Sequence, residues 1–147
     1  MTDVKVQELF RRAVADDDAA AMREGLERML GLGGHGGLSP EREYLLRRPD
    51  FVMEMPQSGE RVRGRDALRR LQEVFPAGPP AVTVRRVTGA RGVWVAEADI
   101  DYGDDDRWQT VVIFELDDHG LIARETRYYP QPLEAPAWRS ELVEAMN

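Results

Sequence analysis

Cysteine is absent from this 147-residue sequence, which excludes disulfides, thiolate nucleophiles, iron–sulfur clusters and cysteine-based zinc sites. Histidine occurs only at His35 and His119, too few for a three-histidine metal centre; no metal site and no cofactor is expected. Lysine is almost missing too, since Lys5 alone stands among 20 basic residues. Those 20 face 27 acidic residues, a net charge of −7, so the basic footprint that nucleic acid or an anionic membrane demands is lacking. No uninterrupted apolar run exceeds four residues, as at 111–114, far short of a membrane-spanning helix. The opening MTDVKVQELF lacks the basic-then-apolar order of a secretory leader, and cytoplasmic residence is the expectation.

What is present describes a globule. Hydrophobic residues make up 42% and charged residues 32%, and the length suits one domain over 1–147. A chain of this size buries enough surface for a core without metals or cross-links. Val6, Leu9, Phe10, Ala13 and Val14 recur at helical spacing, as do Met22, Leu26, Met29 and Leu30 after the Asp16-Asp17-Asp18 break. The glycine-rich run 31–39 follows a helix and lacks a Gly-Lys-Ser/Thr ending, so it reads as a linker or lid rather than a phosphate loop. Ser39 and Pro40 mark the start of a short helix that ends before Pro49.

From Phe51 the period changes to two. Phe51, Met53 and Met55 alternate with Val52 and Glu54 as in a half-buried strand, and residues 66–75 return to a helix stopped by Pro76. After PAGPP, four strands are expected near 81–89, 92–103, 107–117 and 120–129, separated by the turns GARG, YGDDD and DDHG. Such short connections make hairpins, not crossover helices. The fold class is therefore α+β, with helices packed on a strongly curved, mostly antiparallel sheet. A curved sheet closed by helices leaves room for a largely apolar pocket. The tail from 130 to 147 is expected to carry one more short helix, anchored by Trp138 and Arg139 across the domain or a dimer mate.

The segments EMPQSGERVRGRDAL, HGLIARETRYYPQP and EAPAWR, in that order, resemble the nuclear transport factor 2-like superfamily in its SnoaL-like branch. The resemblance spans roughly residues 40–140 and implies a cone-shaped domain that is usually dimeric through its sheet. Its open end holds a small apolar or aromatic molecule. Relatives include cofactor-independent isomerases, cyclases and hydrolases as well as non-catalytic binding proteins. The function implied is small-molecule binding, with or without such chemistry; the alternative is an interaction or dimerisation module that uses the outer sheet face. SnoaL-like cyclases place an aspartate just after the aromatic end of the last strand, where this chain reads Tyr128-Tyr129-Pro130.

No catalytic residue is assigned. Both histidines fall in glycine-rich or turn segments. Glu97, Asp99 and Asp101 share one strand face, read as solvated and paired with arginines such as Arg86, Arg124 or Arg127. The opposite parity places Trp94 and Tyr102 towards the cone, with Trp108 and Thr110 on the next strand and Ile122, Arg124, Thr126 and Tyr128 on the last. Tyr44 lies on the short helix near the expected opening. The candidate ligand-binding residues are thus Tyr44, Trp94, Tyr102, Trp108, Thr110 and Tyr128.

Overall fold

The computed structural model describes residues 2–76 and 80–146, with side chains from Lys5 onward; residues 77–79 of the PAGPP link lie outside the described residues. Two helices come first, α1 (Thr2–Asp16) and α2 (Ala19–Leu30). Asp18 caps α2 by accepting a hydrogen bond from the Ala21 N–H at 3.0 Å. Gly31 closes it at φ 75°, a left-handed position that suits glycine. Leu32 and Leu38, within the glycine-rich loop, pack against the core and tie that loop down. Helix α3 (Pro40–Leu45) begins behind Ser39, whose hydroxyl accepts from the Arg42 N–H at 3.3 Å. Ser39 and Pro40 thus act as their residue types dictate.

Strand β1 (Arg47–Met55) starts four residues earlier than alternation alone indicates. A turn through Pro56 returns the chain as β2 (Glu60–Arg63), in a segment expected to be turn only; Val62 there opposes Met53. Helix α4 (Arg65–Glu73) follows, then β3 (Ala81–Ala90), β4 (Val93–Asp101), β5 (Arg107–Leu116) and β6 (Ile122–Tyr128). The six strands form one sheet in the order β2-β1-β6-β5-β4-β3. Every pairing is antiparallel except β1 with β6. The helices lie against this sheet, an α+β cone fold.

Three register shifts bend the sheet: in β1 between Arg47 and Val52, in β3 between Val84 and Arg86, and between β5 and β6 beside Leu116. Val6, Phe10, Met22 and Leu26 of α1 and α2 share one buried core with Phe51, Trp94, Phe114 and Ile122 of the sheet.

The terminal segment departs from expectation. Only a 3₁₀ turn forms, at Ala137–Arg139, and the Trp138 ring is 80% exposed rather than an anchor across its own chain. Pro130, Pro132 and Pro136 supply no N–H donors, which weakens any strand or helix pairing of residues 130–136. The Arg139 guanidinium lies 5.8 Å from the Trp138 ring centre.

Candidate functional site

The inner face of the sheet follows from strand parity until β6. On β4, Trp94, Ala96, Ala98 and Ile100 are buried, while Glu97, Asp99 and Asp101 point outward. Those carboxylates pair with Arg86, with Arg85 at 3.7 Å and with Arg107 at 3.6 Å, an ion-paired outer face. On β5, Thr110, Val112 and Phe114 lie opposite Ala98, Ala96 and Trp94 and share the inner face.

Alternation is reset in β6. Leu116 pairs with Ile122 but Glu115 pairs with Arg124, so Ala123 is an extra residue on the strand. Beyond this bulge Glu125, Arg127 and Tyr129 turn into the cone, and Arg124, Thr126 and Tyr128 turn away from it. Regular alternation from Ile122 predicts the reverse. The one-residue offset therefore exchanges the polar content of the cavity for that of the outer face.

Between this face and helices α2, α3 and α4 lies a hollow of about 220 Å³. Its body is apolar, with Met29, Val84, Ala98, Ile100 and Val112 among the lining side chains. One wall is polar. There Glu43, Arg47, Glu125 and Arg127 form a chain of alternating charge. Arg47 donates from Nη1 to Glu43 at 3.0 Å and from Nε to Glu125 Oε2 at 2.8 Å. Arg127 donates to Glu125 Oε1 from Nε at 3.0 Å and from Nη2 at 2.8 Å. Gln72 of α4 adds a bond to Glu43 at 3.2 Å.

Glu125 is 1% exposed, and burial alone would raise its pKa. The Arg127 and Arg47 guanidiniums outweigh that burial and hold the carboxyl at about 2. Burial also opposes the charge on Arg127, yet Glu125 and Tyr129 keep it more firmly protonated than an ordinary arginine. Glu125 is thus a permanent anion that orients two cations. Its basicity is too weak for proton abstraction near neutral pH.

The residues singled out from sequence do not converge. Thr110 lies on the cavity wall, where its hydroxyl donates to the Tyr128 carbonyl at 2.9 Å. Trp94 is fully buried in the core, its indole N–H donating to the Arg91 carbonyl at 2.7 Å. Tyr102 sits just past β4, its phenol pushed up by burial and by nearby Tyr129 and Asp106. Trp108 donates to Asp106 at 2.6 Å and borders an outer groove instead of the hollow. Tyr44 bonds Asp66 of α4 and stacks beneath Arg65 at 4.3 Å, so it fastens α3 to α4. Tyr128 is turned outward by the bulge and is 36% exposed. Glu43, Arg47, Gln72, Glu125 and Tyr129 are not singled out by sequence as site residues, and Arg127, expected beside the outer carboxylates, bonds Glu125 in the cavity instead; only the bulge, which no local pattern announces, would have revealed Glu125, Arg127 and Tyr129 there.

A larger, open concavity of about 760 Å³ runs beside Thr83, Asp99, Asp101 and Trp108 to the 130–133 segment. None of the buried polar side chains lines it. The inner hollow, apolar with convergent polar side chains, is the better candidate. Among the described residues no group of three or more acidic or histidine side chains is placed to hold a metal ion. No helix among them is long and apolar enough to cross a membrane.

No protein-family model matches the chain, and no curated protein does. Solved structures do match. A nuclear transport factor 2-like protein of unknown function from Burkholderia xenovorans is 28% identical, with 100% of this chain and 99% of that one covered at a TM-score of 0.65. The chain belongs to the nuclear transport factor 2-like superfamily. Its SnoaL-like branch is consistent with these matches. A protein from Kribbella flavida, provisionally named a ketosteroid isomerase, is 24% identical at a TM-score of 0.67, covering 98% of this chain and 91% of that one. An LEH-like epoxide hydrolase from Mycobacterium tuberculosis shares the fold at 16% identity and a TM-score of 0.53, covering 88% and 83%. Fold kinship to such different activities leaves the chemistry to the site itself.

Proposed function

We propose that this nuclear transport factor 2-like protein, a single SnoaL-like domain over 1–147, binds a small, largely apolar molecule in the hollow of the cone. The observation that carries this reading is the meeting of an apolar lining with a buried, hydrogen-bonded ionic pair on one wall of the same hollow. A wet structural ion pair has no need of an apolar cavity beside it, and a filled core leaves no cavity. An apolar cavity of about 150 Å³ accommodates benzene, so a hollow of about 220 Å³ has room for a substituted single ring.

The neighbours named as isomerase and hydrolase support cofactor-independent chemistry on such a molecule. With Glu125 locked by arginines, proton transfer in this chain would rest on Glu43 and Tyr129, the other ionisable groups of the polar wall. The outer sheet face supports a homodimer. Val95, Val111 and Ile113 form a half-buried apolar strip there, framed by the Arg86–Glu97 and Arg124–Glu54 pairs.

Toluene is a suitable probe. Its titration into the protein should move the backbone amide resonances of Ala98 and Val112 saturably, and Ala98→Phe should abolish the response while the far-ultraviolet circular dichroism stays unchanged. A wild-type protein that gives no saturable response does not use this cavity.

A further inference from the structure

The polar wall of the cavity is neutral as a whole. Glu43 of α3, Arg47 of β1, and Glu125 and Arg127 of β6 are the charged groups that face it, two of each sign. Gln72 and Tyr129 complete the wall, and the remaining lining from α2 and β3–β5 is apolar apart from Thr110. We propose, resting on the binding reading above, that the cavity selects an uncharged molecule whose polar group is a single hydroxyl or carbonyl oxygen, and rejects the matching carboxylate and ammonium.

The reason is electrostatic. An ion settling in this hollow loses part of its hydration, and the wall offers no net opposite charge in return. Drawing either arginine away to meet an anion would leave one oxygen of Glu125, whose side chain is 2% exposed, without its partner. A neutral oxygen needs only hydrogen bonds. Arg127 spends Nε and Nη2 on Glu125 and also bonds the Tyr129 side chain, and of its five N–H groups those not so engaged can donate to a carbonyl or hydroxyl. Both bonds to Glu43 fall on Oε1, which leaves Oε2 to accept from a hydroxyl.

Three probes of one shape test this in the full chain: cyclohexanol, cyclohexanecarboxylate and cyclohexylammonium, each titrated at neutral pH while the Ala98 and Val112 amide resonances are followed. Cyclohexanol should bind at least about tenfold more tightly than either ion. Glu43→Gln gives the wall a net positive charge, and should shift the preference towards the carboxylate by about tenfold or more relative to the alcohol. Equal or tighter binding of an ion by the wild-type protein, or an unaltered preference in Glu43→Gln, overturns the neutral-ligand inference and leaves cavity binding standing. If toluene and cyclohexanol both leave the resonances unmoved, cavity binding itself is lost, and this inference with it.

Discussion

Glu125 links the stability of the fold to the electrostatics of the cavity. Folding moves its carboxyl from an ordinary value of 4.5 to about 2, because Arg127 and Arg47 overcome the burial that acts against its charge. A depressed folded pKa contributes stability that is fully present above the unfolded value and is lost as pH falls through the folded one. The window is therefore pH 4.5 down to about 2. The amount involved is on the order of 3 kcal/mol. Glu125→Gln should remove this acid-limb dependence. It should also lower stability at pH 7 by about 3–5 kcal/mol, because two buried guanidiniums lose their anion. Urea unfolding at pH 7 and pH 3 reads both effects. A variant whose stability falls with acid as steeply as that of the wild type would place the acid sensitivity elsewhere.

Elements were legible in this sequence where a local pattern determines them. The Ser39-Pro40 helix start, the parity of β4 and the hairpin order of β3 to β6 each depend on neighbours a few residues apart. The cavity's polar wall was not legible, because it depends on a bulge at Ala123 that is fixed by pairing with β5 and by the parallel contact with β1. Tyr44 shows the same limit: helical spacing places it on α3, but only tertiary packing sets its ring under Arg65. The turn that launches β6 has its own constraint. Gly120 sits at φ 80°, and a Cβ there would lie 2.5 Å from the Gln7 carbonyl oxygen and 2.7 Å from the Arg11 nitrogen. Both are backbone atoms of α1, which cannot swing aside as a side chain can. Gly120→Ala should therefore lower stability by about 1–3 kcal/mol through strain at this turn. An unchanged urea midpoint would show that α1 does not press on the β5–β6 turn.

For the whole molecule, the two faces of the sheet pose opposite problems. The inner face is covered by helices, and its remaining space is the cavity. The outer face carries Val95, Val111 and Ile113 in a strip only half-buried within the chain, beside Tyr128 at 36% exposure. Ion pairs at the margins fix the rim and leave the strip as the surface with most to gain from a second copy. Trp138, by contrast, stands on a proline-rich tail with its ring in solvent, so Trp138→Ala should change the unfolding free energy of the isolated chain by less than about 0.5 kcal/mol. The two apolar features thus separate by experiment. Because a sheet face paired about a twofold axis meets itself, one substitution alters the contact twice. Ile113→Asp should place like charges opposite one another across the axis. In sedimentation velocity it should convert a dimer to a monomer whose circular dichroism is unchanged, since the side chain lies outside the core. A wild-type protein that sediments as a monomer at micromolar concentration removes the sheet face from consideration, and the apolar strip is then ordinary surface.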